Sequence, residues 1–123
     1  MELHYIELLG DKQPMCFSMT AAQNLTHHFG SIEEMGEQLM NNDVYIRRDA
    51  INDALTELIR AGRAYAKAKG DPLPPELPCA VSDVVGPETI PLVTLILSVL
   101  KRDSAREVEI EETGKNGGAT PGA

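Results

Sequence analysis

"FSMTAAQNLTHHFGSIEEM", residues 17–35, holds two helix starts, a helix stop and a pair of adjacent histidines. Ser18 or Thr20 caps the first helix, and Thr20 with Gln23 has the spacing of a capping box, in which the two side chains satisfy free backbone N–H groups reciprocally. Met19, Ala22, Leu25 and Phe29 recur at helical spacing and make one apolar stripe. Gly30 supplies the residue that most readily takes the left-handed backbone closing a helix. Ser31 restarts at once: Glu34 completes a second capping box, and Glu33 adds negative charge where the helix dipole favours it. Ile32, Met35, Gly36 and Leu39 form the buried face of this second helix. The stretch therefore predicts a tight corner between two short helices.

Toward the N-terminus, "LHYIELLGDKQPMCFSM" alternates loosely around Gly10, which predicts two short strands about a Gly-Asp-Lys turn, with Pro14 pushing the second strand to an edge. An isolated hairpin is marginal in water, so this one must pack on the helices. Toward the C-terminus, a long helix over 44–69 is expected, capped by Asn42 or Asp43, with Gly70 just past its end. Ile51, Ala54, Leu55, Leu58, Gly62, Tyr65 and Ala66 line one face, and the opposite face is polar. Gly62 costs about 1 kcal/mol against Ala inside a helix, so a close approach or a bend is expected there.

"GDPLPPELPC", residues 70–79, cannot continue a helix and reads as a stiff extended connector. A short helical turn over 81–85 follows, then a last helix over 88–103 with Pro87 and Pro91 at its first turn. Only Thr94 and Ser98 interrupt its apolar residues, so burial on nearly all sides is expected. "REVEIEE", residues 106–112, reads either as an extra edge strand or as an extended arm, and "GKNGGATPGA" as a flexible tail. These segments predict a mainly α (α+β) fold: a small helical bundle with a short N-terminal β-hairpin, one domain over 1–112, and a disordered tail over 113–123. Leu25, Phe29, Ile32, Leu39, Ile51, Leu55, Leu58, Leu92, Leu95, Ile96 and Val99 should share the core.

A chain of 123 residues with 42% hydrophobic content can bury a core without disulfides or metal, and with no Trp that core is aliphatic and Met-lined. The net charge of −8 argues against direct nucleic-acid binding, which rests on clustered Lys and Arg. Cys16 and Cys79 lack metal or redox spacing and read as free thiols of a reducing compartment. Glu2 and His4 stand where a signal peptide carries basic and apolar residues, and "IPLVTLILSVL" falls short of the about 20 residues a membrane span needs. A cytoplasmic, membrane-free location is the expectation.

Catalysis finds no foothold. His27 and His28 are adjacent, so on a helix they diverge by about 100° and cannot share a metal without help, and only His4 remains elsewhere. Asp49, Asp53 and Glu57 fall on one helical face, but Arg60 and Arg63 flank them and a solvated, ion-paired face accounts for the pattern. Phosphate-loop, nucleophile-elbow and dinucleotide motifs are missing. No enzyme activity, cofactor or metal is expected. Between 44 and 70, however, Arg47, Arg48, Arg60, Arg63, Lys67 and Lys69 outnumber the acids. That surplus is either an ordinary mixed surface, a docking stripe, or a complement to acidic segments such as "EVEIEE" on another copy.

Taken together, Phe17, Leu25, Phe29, Gly30, Ser31, Ile32, Glu34 and Leu39, set between an N-terminal β segment and a long then an apolar helix, resemble the tail assembly chaperones of long-tailed bacteriophages. The resemblance covers residues 3–103. It implies a non-enzymatic factor of the host bacterial cytoplasm, absent from the mature virion, that binds the tape measure protein and the tail tube subunit during assembly. The docking residues expected for that role are Met35, Met40, Leu95 and Val99 for apolar contact and Arg60, Arg63 and Lys67 for charge. Separately, the helix over 88–103 is apolar on more faces than one small bundle can cover, which makes a homo-oligomer the cheaper free state. The net charge supports a different class as the alternative: a small acidic phage inhibitor or nucleic-acid mimic that blocks a basic groove of a host protein.

Overall fold

In a computed structural model, residues 1–119 are described, with side chains through Ser104. The chain runs β1 (His4–Leu8), β2 (Asp11–Met15), α1 (Met19–Phe29), α2 (Ile32–Leu39), α3 (Val44–Lys69), a 3₁₀ turn (Val81–Asp83) and α4 (Ile90–Ala119). The strands pair antiparallel, with Leu8 opposite Asp11. Leu9 and Gly10 alone join them, both at positive φ (53° and 82°). A two-residue turn of this hand matches the twist of its strands, so it falls one residue before the expected Gly-Asp-Lys turn, and Asp11 and Lys12 belong to β2.

The hairpin alternates as a half-buried ribbon in β1, where His4, Ile6 and Leu8 face inward. In β2, by contrast, Gln13, Pro14 and Met15 are buried in succession, because α3 crosses directly over them. The crossing is at backbone distance: a Cβ built on Gly62 would lie closer than 3.0 Å to the carbonyl group of Pro14 and the nitrogen of Met15. Just beyond, the Cys16 N–H donates to the Leu58 carbonyl (3.2 Å), using an oxygen that has a second lone pair to spare. The close approach expected at Gly62 is therefore to a strand.

Capping follows the sequence closely. Ser18, rather than Thr20, caps α1 by accepting from the Ala21 N–H (3.1 Å). Gly30 closes α1 at φ 99°, and Ser31 caps α2 by accepting from the Glu34 N–H (3.0 Å). At that positive φ any side chain on residue 30 would be strained, and it would also displace the Glu34 carboxylate, so the corner favours glycine. Asp43 caps α3, accepting from Tyr45 and Ile46.

α3 is the hub, touching β2, α1, α2, the 3₁₀ turn and α4. Every residue expected in the core is there, with Ile32, Leu92 and Leu95 half-buried at its margin. Two polar ties fasten the periphery. Gln13, fully buried, donates from Nε2 to the Pro75 carbonyl (2.9 Å) and accepts from Arg63 Nη1 (2.9 Å), which also donates to the Pro74 carbonyl (2.9 Å). Asp103, also buried, accepts the Phe17 N–H on Oδ2 (2.7 Å) and lies 3.2 Å from His4 Nε2 through Oδ1. A buried carboxylate persists only when its lone pairs are used, and this one bolts α4 to the hairpin.

α4 departs from expectation twice. It does not stop at Asp103 but continues as helix, so "REVEIEE" is not an edge strand; no Gly or Pro lies between Pro91 and Gly114 to end it. Nor is it covered all round, since Ile90, Pro91, Thr94 and Leu97 are exposed while Val93, Ile96, Val99 and Leu100 are buried. One small bundle has only one groove to offer. Of the tail expected over 113–123, residues 120–123 lie outside the described residues, and the backbone before them falls within α4.

Gly62→Ala is expected to destabilise the protein by about 2 kcal/mol or more in urea titration, although a helical Gly→Ala change ordinarily stabilises. Gly36, with nothing near its missing side chain, is the internal control: Gly36→Ala should stabilise by about 0.5–1 kcal/mol. Asp103→Ala should cost about 3–5 kcal/mol, and Asp103→Asn markedly less, because an amide still accepts from Phe17 and can donate to a neutral His4. Equal losses for the two Asp103 variants would refute the bolt. Cys16 gives a pH test: burial, then the Asp103 charge, pushes its thiol from 9.0 up to about 11. The folded state holds that proton longer than the unfolded chain, so this contribution is intact below pH 9 and is lost as pH rises toward 11. At about pH 8 a thiol reagent should modify exposed Cys79 at once and Cys16 only on unfolding.

Candidate functional site

Two hollows flank the first turn of α4. One, of about 440 Å³, is lined by Leu39 and Met40 at the end of α2 and by Ile90, Val93, Thr94 and Leu97 of α4, together with Arg47 and Thr89. The other, of about 280 Å³, has Ile51, Val81, Val85 and Leu92 for its apolar wall, with Arg48, Asn52, Ser82 and Thr89 among its polar groups. Asn52 helps shape it by accepting the Ser82 N–H (2.9 Å), which pins the 3₁₀ turn to α3.

Consecutive residues on a helix point about 100° apart, so Arg47 and Arg48 reach one to each hollow. Arg47 Nε donates to Thr89 Oγ1 (3.0 Å) and its Nη1 to the Asn41 carbonyl, while Arg48 Nη2 donates to the Pro87 carbonyl (3.2 Å). Both guanidinium groups thus stitch the approach of α4 onto α3, and both do so through neutral oxygens. The ion pairs among the described residues are His4–Asp103, His28–Asp53, Arg60–Glu57 and Lys69–Asp71, none of which includes Arg47 or Arg48. They sit close to the N-terminus of α3, where the helix dipole disfavours cations. Around them stand Met40 at 66% exposure, Tyr45 at 78%, Ile46 at 40%, Ile90 at 78% and Leu97 at 40%. Met, Tyr and Arg are the types enriched where proteins meet.

The residues singled out from the sequence are scattered by the fold. Met40 belongs to the first hollow. Met35 and Val99 are fully buried in the core and offer no surface, because they fall on the inward sides of α2 and α4; Leu95 is half-buried against the same core. Arg63 is taken up by Gln13 and the proline connector. Arg60 is exposed but hydrogen-bonded to Glu57 (2.7 Å), which raises its pKa above the usual guanidinium value against the opposing effect of desolvation. Lys67 is exposed about 30 Å along α3 from Arg47. The apolar and basic sets therefore do not form one site. Ile90, Leu97, Arg47 and Arg48 were missed as a group; their signal was the pair of arginines at a helix start, where acids are favoured.

The acidic face of α3 is spent locally. His28 Nε2 lies 2.9 Å from Asp53 Oδ2, and Glu57 accepts from Asn24 (2.9 Å) and Arg60. Among the described residues, no group of three His, Cys, Asp or Glu side chains is placed to hold a metal ion, and no helix is long and apolar enough to cross a membrane. No family model, no curated protein and no solved structure matches the chain.

Proposed function

We propose that this protein is a non-enzymatic assembly chaperone of the phage tail type, acting in the host bacterial cytoplasm and absent from the finished virion. Its clients on this reading are the tape measure protein and the tail tube subunit. The observation that carries the reading is the exposed apolar hollow of Met40, Ile90, Thr94 and Leu97, held on a rigid helical body. Such a hollow suits the apolar face of an amphipathic helix, and a tape measure protein is long and largely helical. Met40 is an adaptable contact because its thioether chain is unbranched. The sequence features behind the resemblance also serve a definite purpose: the Phe29-Gly30-Ser31 corner sets α1 and α2 against α3 and so places Met40 beside α4.

The alternative, an acidic inhibitor or nucleic-acid mimic, draws on the net charge of −8. It needs carboxylates gathered in one free stripe. The carboxylates are instead spread along the chain, α3 is locally basic, and Asp53, Glu57, Asp71 and Asp103 are each tied to a cationic or histidine partner, which weakens that reading.

Co-expression with a phage tape measure protein and tail tube subunit is the test, with co-purification or a gain in client solubility expected. Ile90→Asp and Leu97→Asp should abolish capture while shifting stability by only about 0.5 kcal/mol, as exposed positions do. Val99→Asp should unfold the protein outright, since it buries an unpaired charge. If neither client is captured or solubilised by the wild type, the chaperone assignment fails.

A further inference from the structure

We infer that the two hollows at the start of α4 are covered, in the free protein, by the acidic end of α4 from a second copy of this chain, in a reciprocal antiparallel dimer. The inference goes beyond the chaperone reading and stands or falls without it.

Charge is the first argument. In a chain of net charge −8, Arg47 and Arg48 have only neutral oxygens as partners among the described residues, and each borders an apolar hollow. A group that fits there brings carboxylates and aliphatic side chains together. Residues 107–112, "EVEIEE", are the densest such stretch in this sequence.

Geometry is the second argument. That stretch lies in the same continuous helix as Ile90, 17 to 22 residues further on, which is about 26–33 Å along the axis. It cannot fold back on its own hollows. A second α4 running antiparallel delivers it there, and the two-fold relation delivers the first copy's stretch to the second copy's hollows in return. The exposed row Ile90, Thr94 and Leu97 then faces the other helix, and the two-fold axis, midway between Ile90 and residues 107–112, passes between Leu97 and the exposed Lys101. Such an interface closes on itself and stops at two copies.

The opposing effect is repulsion between two acidic molecules. It acts over the whole surface and is screened beyond about 8 Å at physiological salt, whereas the Arg–Glu contacts are local to the interface.

Sedimentation equilibrium of the full chain provides the test. The wild type should dimerise, and the dimer should weaken as salt is raised to about 1 M. Arg48→Glu, and separately the double change Glu109→Arg with Glu111→Arg, should each weaken the homodimer about tenfold or more. Mixing the two variants should restore association, because only the mixed dimer has opposite charges at both of its ends. This rescue also guards against misfolding, since an unfolded variant cannot be rescued by mixing. A wild type that stays monomeric at all concentrations overturns the inference. So does a dimer indifferent to both sets of changes, or a mixture no tighter than either variant alone.

Discussion

Strand β2 rests on α3 with nothing between the two backbones at Gly62, and the other elements take their places from that crossing. Any side chain at position 62 would lift the hairpin off the helix, separate the Cys16 N–H from the Leu58 carbonyl, and expose Met15. With the hairpin seated, Gln13 is carried to where it holds the Pro75 carbonyl directly and the Pro74 carbonyl through Arg63, so the connector follows a fixed course along α3. That course delivers the 3₁₀ turn to Asn52 and α4 to its groove. Fixing one glycine thus orders a chain of contacts that ends at the candidate site.

Local rules made most of this architecture legible. Ser18, Gly30, Ser31, Asp43 and Gly70 mark helix ends through interactions that span only a few residues, so the sequence is enough to place them. The aliphatic core was legible for the same reason, since period alone selects Leu25, Leu55, Leu58 and Ile96. What escaped depended on distant partners. α4 is apolar on most faces, and only the groove it enters decides that Val99 is hidden while Leu97 is open. Arg63 and Arg60 are neighbours about 60° apart on a helical wheel, yet Gln13 claims one and Glu57 the other. Asp103 stood in the sequence merely as the residue after Lys101 and Arg102, with no sign that it reaches His4 and Phe17.

The candidate site joins charge to apolar surface. Its polar groups are a pair of guanidinium ions and hydroxyls already engaged in holding helices together, and its walls are aliphatic. Among the described residues these arginines are bound only to carbonyl and hydroxyl oxygens, with no fixed carboxylate beside them, so they favour a negative group that comes near. Placing them beside exposed Ile90 and Met40 couples that attraction to apolar burial, and neither contribution needs to be strong alone.

The Asp103 bolt joins residues 99 and 86 positions apart in the chain. During synthesis the hairpin emerges well before the carboxylate that bolts it. Until α4 arrives, the Phe17 amide has no Asp103 to bond and the face of α3 that α4 covers stays wet. α1, α2 and α3 can condense early through contacts between neighbours in sequence, whereas docking α4 depends on contacts of long sequence separation, a class that forms more slowly. The nascent protein therefore spends its vulnerable interval with its own apolar groove open, which is the period when aggregation competes most directly with folding.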